Sequence, residues 1–181
     1  MTLLVGDVGG TKTALAMAEF ASDGRIRLSH QRRLPSADHA SLQALVQAYL
    51  DECGLVCDRA CFAVAGPVLQ GRSDATNLPW IIDSLELEQV LGLERALLLN
   101  DLEALAWGIA ALEPEDFAIL QMGEDGVQGN ACVVAAGTGL GEAGLYWDGS
   151  AHRAFATEGG HADFATEDAL EVELLLWLRA R

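Results

Sequence analysis

The chain has 181 residues, of which 51% are hydrophobic and 21% are charged, and this globular composition excludes a largely disordered polypeptide. Its formal net charge of −16 disfavours binding to nucleic acid or to an anionic membrane, because a phosphate surface would repel it. The sequence has no apolar run of about 18 residues and no secretory signal at its start, so we expect a cytoplasmic protein without a membrane-spanning segment.

The first part of the sequence predicts three consecutive strands. Apolar stretches at 3–8 and 13–20 flank Gly9 and Gly10, and residues 25–33 alternate with a period of two after a turn signal at 22–24. The simplest arrangement of these strands is antiparallel.

Residues 41–112 predict helices that alternate with strands. A helix over 41–52 is capped by Asp38 or Ser41, a helix over 84–92 is capped by Asp83 or Ser84, and a third helix covers 102–112. Short buried strands are expected at 59–65 and 97–99. The first helix has one apolar face, formed by Leu42, Leu45, Val46, Tyr49 and Leu50. We therefore expect an α/β fold with a mixed β-sheet and flanking helices.

The remaining sequence predicts a connector and a second lobe. We expect a first lobe over 1–112, a connector over 113–130, and the start of a second lobe over 131–181. A buried strand at 131–136, a glycine turn at 137–141 and strands at 142–148 and 152–157 repeat the layout of the N-terminus. The helix over 167–180 is apolar nearly all round and needs cover on several sides. We therefore expect the second lobe to be incomplete, so that the chain is a fragment or needs a partner chain.

Three cysteines, Cys53, Cys57 and Cys61, are spaced four residues apart and could suggest metal ligands. Gly54 interrupts any helix there, and the better interpretation is reduced, mostly buried thiols, Cys132 included. We assign no structural zinc.

The glycine-rich turn after the first strand predicts a phosphate site. It lacks the glycine that a P-loop has before its Lys-Thr pair, and a strand rather than a helix follows it, unlike a dinucleotide fingerprint. A tight hairpin remains, centred on Asp7, whose unobstructed N–H groups can hold the phosphates of a nucleotide. Asp7 at the turn would repel phosphate unless Mg²⁺, bound through water, lies between them. The predicted phosphate-binding residues are Gly6, Asp7, Val8, Gly9, Gly10 and Thr11.

A second turn, at Gly137, Thr138 and Gly139, has the same character, so two hairpins could clamp a polyphosphate between them. For the first turn considered alone, an ordinary hairpin with a flexible tip is an equally good interpretation.

Six ordered motifs carry a resemblance to a known family. They are GDVGGT near the N-terminus, AVAGPV at 63–68, TNLPW at 76–80, LLND at 98–101, AAGTGLG at 135–141 and EGGH at 158–161. In order and spacing they resemble bacterial glucokinases, members of the sugar-kinase, Hsp70 and actin superfamily, over the whole chain. The resemblance implies the actin-like ATPase (ribonuclease H-like) fold, ATP with Mg²⁺, and phosphorylation of the 6-hydroxyl of glucose to glucose 6-phosphate for glycolysis. Full members of the family continue past residue 181.

The resemblance also assigns residue roles. It implies that Asp101 is the catalytic base and that Asn100, Glu158 and His161 bind the sugar. Asn77 and Trp80, in the TNLPW loop, are expected near the sugar. Position alone favours a helix N-cap for Asn100 or Asp101, and both uses can coexist. The EGGH segment alone is typical of a surface loop.

Some alternatives stay open. Many relatives have Asn in place of Lys12, whose charge either joins the phosphate site or is simply solvated. Instead of an enzyme, the chain could be a sugar-sensing regulator or a truncated, non-catalytic sugar-binding fragment. The width of sugar specificity and the oligomeric state, a homodimer included, are not decided by the sequence.

Overall fold

The computed structural model describes residues 2–22, 25–75, 78–137 and 139–181. Asn77 and Thr138, two of the predicted site residues, lie outside these ranges. The elements of the first part are, in chain order, β1 (Thr2–Val8), β2 (Lys12–Phe20), β3 (Ile26–Pro35), α1 (Leu42–Cys53), β4 (Arg59–Val64), β5 (Arg72–Asp74), β6 (Ile81–Asp83), α2 (Ser84–Leu91), β7 (Arg95–Asn100) and α3 (Asp101–Gly108).

Five of these strands form one mixed sheet, in the order β3-β2-β1-β4-β7. The pairs β1–β2 and β2–β3 are antiparallel, as predicted, whereas β4 and β7 run parallel to β1. The mixed sheet with flanking helices is therefore confirmed.

The core of this sheet lies under α1. All five residues of the predicted apolar face of α1 are buried, and they pack with Leu4, Phe62 and Val64 of the central strands. Ser41 caps the helix by accepting a hydrogen bond from the Ala44 N–H at 3.2 Å, and Gly54 ends it with a left-handed φ of 64°. Asp83 caps α2 in the same way.

The short hairpin of β5 and β6 was not predicted. Its strands have three residues each, too few for a periodic pattern to be recognised. Ile82 is fully buried, and Trp80 is 3% exposed and donates its indole N–H to the His39 carbonyl at 3.2 Å. Trp80 therefore joins the loop before β6 to the segment between β3 and α1.

A second sheet contains the antiparallel meander β8 (Ala131–Ala136), β9 (Leu140–Trp147) and β10 (His152–Ala156), and α4 (Ala169–Arg179) follows it. The layout of strand, glycine turn and returning strand matches that of β1 and β2. The prediction that the strand at 131–136 is buried is wrong, because β8 is an edge strand on which Val134 is 59% exposed. In the predicted buried strand 97–99, Leu97 is likewise exposed.

The apolar residues of α4 are also exposed, Leu170 by 72% and Leu176 by 62%. Residues 113–130 contain a short 3-10 turn at Pro114–Asp116, and all of them are exposed. The division of the chain into two lobes with a connector stays a prediction.

The four cysteines are free thiols. Cys53, Cys57 and Cys61 are half-buried and Cys132 is exposed, so the prediction of mostly buried thiols is only partly right. Burial raises the pKa of the Cys57 and Cys61 thiols, and the Asp58 carboxylate adds to the effect at Cys57. Within the described residues, no helix has the length and apolar character needed to span a bilayer.

The core position of Phe62 generates the first prediction. Phe62→Ala removes a fully buried ring and should lower the free energy of unfolding by about 3–5 kcal/mol. The matched control Phe20→Ala removes a ring that is 59% exposed and should change it by about 0.5 kcal/mol or less. Urea unfolding of both variants measures the difference, and equal losses would contradict this description of the core.

Candidate functional site

Three parallel strands end at the same edge of the first sheet. Val8 of β1 is in register with Val64 of β4, and Val64 is in register with Asn100 of β7. The segments that follow these strands, including Gly10, Ala65 and Asp101, consequently meet at one edge, where α/β proteins bind their ligands.

The first hairpin turns at Gly9–Thr11 and not at Asp7. Asp7 lies inside β1 and pairs with Ala14, so the prediction of a turn centred on Asp7 is wrong. The Gly9 N–H donates to the Lys12 carbonyl at 3.1 Å, which closes the turn. Within the described residues the N–H groups of Gly10 and Thr11 form no hydrogen bond, so both are available to a ligand.

Gly6 and Val8, which precede the first turn, pack in the core of the first sheet. A Cβ atom at Gly6 would lie 2.6 Å from Phe62 and 2.8 Å from Leu15, so the absence of a side chain there lets β1 pack closely on the core. The Val8 side chain is 3% exposed in the same core. Lys12 is exposed beside the turn.

Asp7 is exposed on the face of the sheet opposite the α1 core. A shallow concavity of about 530 Å³ on this face is lined by Asp7, Val5, Ala14 and Arg33, among others. Partial burial and the negative charge of Asp101 raise the pKa of the Asp7 carboxyl, and Arg33 opposes them.

Asn100 and Asp101 join β7 to α3. The Asn100 Oδ1 accepts hydrogen bonds from the N–H groups of Leu102 at 3.0 Å and Glu103 at 3.2 Å, and its amide donates to the Gly66 carbonyl at 3.0 Å. The helix-cap interpretation is confirmed for Asn100. The first turn of the helix fixes Asp101, whose Oδ1 also accepts from the Leu102 N–H at 2.9 Å.

Helix α3 holds the two sheets together. Ala106 is buried against Ala143 and Leu145 of β9. A Cβ atom at Gly141 would lie 2.7 Å from the Leu102 side chain, so β9 approaches the start of α3 closely. This packing brings Asp101 opposite the second glycine turn.

The EGGH segment forms a 3-10 turn at Gly159–His161, after β10. A Cβ atom at Gly160 would collide with the Leu140 carbonyl, so this turn can lie against β9 only with glycine at that position. A Cβ atom at Gly159 would collide only with the end of the flexible Glu142 side chain, which can move aside. The exposed side chains of Glu158 and His161 approach each other, with 3.7 Å between Oε2 and Nε2.

These elements enclose a cleft of about 810 Å³ between the two sheets. It brings together eight of the predicted site residues: Gly10, Thr11, Asn100, Asp101, Gly137, Gly139, Glu158 and His161. Gly6, Asp7, Val8, Gly9 and Trp80 do not line it.

The sequence analysis missed Glu142 and Thr157. Both line the cleft, and the Thr157 hydroxyl donates to the Glu142 carbonyl at 3.1 Å. Within the described residues the Glu142 carboxylate forms no hydrogen bond or ion pair. In the sequence, Glu142 is marked only by its position directly after a glycine turn, and many acidic residues occupy such a position without a role in binding.

No group of three or more His, Cys, Asp or Glu side chains is arranged to hold a metal ion in the described part of the chain. A cation in this cleft would therefore rely on few protein ligands, as Mg²⁺ does when phosphates and water complete its shell.

Asp7 and Asp148 generate a prediction about pH. A raised native pKa means that folding favours the protonated carboxyl, so ionised Asp7 lowers stability as the pH rises above its ordinary value of 3.8. Asp7→Asn should therefore raise Tm relative to the unchanged protein at pH 7, and this gain should vanish near about pH 3.

The matched variant Asp148→Asn should behave in the opposite way. Hydrogen bonds from Ala151, Arg153 and Ser150 hold the pKa of the Asp148 carboxyl well below its usual range. Its stabilising effect is present above 3.8 and is lost as the pH falls through the native pKa. Thermal unfolding at both pH values measures the two effects, and a lower Tm for Asp7→Asn at pH 7 would contradict the prediction.

Known proteins resemble this chain along almost its whole length. A family model described as Glucokinase matches residues 4–181. The chain is 38% identical over 177 residues to a glucokinase of Nostoc punctiforme and 38% identical over 179 residues to a glucokinase of Tolumonas auensis. These matches cover 97% and 98% of this chain but 52% and 54% of the relatives, so the chain spans about half the length of the curated relatives it matches.

Solved structures agree with the fold. A glucokinase from an Antarctic psychrotroph has a TM-score of 0.82 at 31% identity, covering 99% of this chain and 56% of that one. A ROK family glucokinase from Streptomyces griseus in complex with glucose and AMPPNP has a TM-score of 0.57 at 22% identity, over 84% of this chain and 46% of that one, and shows the fold alone. The predicted actin-like ATPase fold is confirmed. Because the family model spans nearly all of it, the chain belongs to the glucokinase family.

Proposed function

We propose that the whole protein transfers the terminal phosphoryl group of ATP to the 6-hydroxyl of glucose, giving glucose 6-phosphate for glycolysis in the cytoplasm. The cleft carries this proposal, because a carboxylate, two glycine turns and a polar loop face it from separate elements. Family membership supports it, since the curated relatives that match are glucokinases.

Asp101 acts as the general base. Phosphoryl transfer asks little covalent chemistry of the protein, which must position the acceptor hydroxyl and take its proton. Asp101 begins α3, and the hydrogen bond from the Leu102 N–H fixes the direction of its carboxylate. One Asp101 oxygen stays available for the hydroxyl proton.

Glu158, His161, Asn100 and Asn77 bind the sugar hydroxyls. The Glu158 and His161 side chains are exposed, and at 3.7 Å their contact is too long for a hydrogen bond, so a polyol can bind between them at small cost. The Asn100 amide is largely occupied by its cap, which leaves one N–H for a hydroxyl. A site of this kind rejects sugars that lack the matching hydroxyls.

The glycine turns hold the phosphates. The free N–H groups of Gly10 and Thr11 and the Thr11 hydroxyl would face the phosphates on one side of the cleft, and Gly137 and Gly139 line the other side. We assign the same role to Thr138, which lies between these two glycines in the sequence. Gly6 and Val8 pack β1 on the core just before the first turn, and the Gly9 N–H closes the turn.

Mg²⁺ fits the charge of this cleft. Asp101 lines the cleft, so its carboxylate would repel a nearby phosphate, and a divalent cation would offset that repulsion. Asp7 does not line the cleft, so it would hold the ion only through water, and the bound ion would supply neutralisation of phosphate charge.

The base assignment has a direct test. Asp101→Asn in the whole protein keeps the shape of the side chain and removes the base, so kcat should fall by about 10²–10⁴-fold with a small change in KM for glucose. Glu103→Gln is the matched control, because Glu103 lies in the same helical turn but does not line the cleft. A coupled assay measures both, and activity within about tenfold, or 1.4 kcal/mol of barrier, would refute the role of Asp101.

The isolated 181-residue chain should be a poor catalyst. The chain spans about half the length of its relatives, and α4 exposes apolar residues that need cover. Because small displacements of catalytic groups are costly, we expect turnover of the isolated chain to be about a hundredfold or more below that of the whole protein. The same coupled assay measures it, and comparable turnover would contradict the expectation.

A further inference from the structure

Ser36 lies directly behind the first glycine turn, just after β3. It begins a short 3-10 turn at Ser36–Asp38 and is fully buried. Its hydroxyl donates to the Gly9 carbonyl at 2.8 Å, and its N–H donates to the Thr11 carbonyl at 3.1 Å. One residue therefore holds two of the carbonyl groups of the turn.

A second buried hydroxyl completes this arrangement. Thr13 Oγ1 lies 3.0 Å from Ser36 Oγ, and Thr13 is also fully buried. The Gly9 carbonyl can only accept, so the single hydroxyl hydrogen of Ser36 is directed to it. Thr13 must then donate to Ser36, which gives a relay from Thr13 through Ser36 to Gly9 whose hydrogen bonds reinforce one another.

The relay determines which groups of the turn face the cleft. In a planar trans peptide the C=O and N–H groups point in opposite directions. Holding the Gly9 carbonyl on the Ser36 side therefore directs the Gly10 N–H to the other side, where Gly10 lines the cleft. A rotated peptide would present a carbonyl oxygen there and repel a phosphate.

We propose that Ser36, with Thr13, is a positioning residue for nucleotide binding, which holds the first turn with its N–H groups toward the phosphates. The proposal rests on the function proposed above, in that the ligand of this turn is a nucleoside triphosphate. Neither side chain lines the cleft, so neither touches the ligand.

The test measures binding of AMPPNP with Mg²⁺ to the whole protein by calorimetry. Ser36→Ala should raise Kd about tenfold, because the turn then spends less time in the binding conformation. Thr13→Val is nearly isosteric and removes only the relay hydroxyl, so it should act in the same direction, whereas Thr13→Ser keeps the hydroxyl and should bind within about twofold of the unchanged protein.

Ser41→Ala is the control for stability alone. It removes the cap of α1, lowers Tm and should leave Kd for the nucleotide unchanged. KM for glucose should change less than Kd for the nucleotide in the Ser36 and Thr13 variants. The proposal would be overturned if Ser36→Ala and Thr13→Val both bound AMPPNP with a Kd within about twofold of that of the unchanged protein. It would also be overturned if Ser41→Ala raised this Kd as much as Ser36→Ala does.

Failure of the proposed function would look different. A protein that binds AMPPNP in the pattern above without phosphorylating glucose supports the role of Ser36 and refutes the kinase. A protein that binds no nucleotide overturns the role of Ser36.

Discussion

The packing of α3 between the two sheets is the interaction on which the cleft depends. The helix contacts β4 and β7 on one side and all three strands of the second sheet on the other. Ala106, Ala143 and Gly141 are small, so the helix and β9 approach closely. Asp101 begins this helix, and its position relative to the second glycine turn follows from apolar contacts beneath the cleft. The polar groups above those contacts can therefore stay free for ligands.

The charge of the cleft explains why backbone groups matter so much in it. The chain carries a net charge of −16, and none of the described residues that line the cleft is lysine or arginine. An anion in such a place is stabilised by oriented N–H dipoles and by a cation from solution. The affinity for an anion then depends on the orientation of a few peptide groups, a dependence that would be weaker in a cleft lined by arginines. The buried hydroxyls of Ser36 and Thr13 are therefore expected to affect ligand binding as well as packing.

Much of the first sheet could be predicted from the sequence, because hydrophobic periodicity and glycine turns are local signals. The apolar face of α1, a cap at Asp38 or Ser41 and the antiparallel pairing of β1, β2 and β3 follow from such signals, whereas the full strand order and the choice of Ser41 came from the structure. The exposure of β8 could not be predicted, since an apolar strand has the same pattern whether its faces are covered or open. Glu142 and Ser36 were missed for a related reason. Their importance comes from what lies across from them in space, and neither has a distinctive neighbour in sequence.

Glycine has two different structural roles in the site, one in the Gly159–His161 turn and another in the first turn. Gly160 is needed because a side chain there would collide with the backbone of β9, so its role is close packing of the Gly159–His161 turn. At Gly9 a Cβ atom would lie 3.0 Å from the Lys12 carbonyl, a tight but smaller obstacle, and at Gly10 the free N–H is what matters. A larger residue at 160 would displace the Gly159–His161 turn from β9. A larger residue in the first turn would instead disturb peptide orientation, the property that Ser36 also controls.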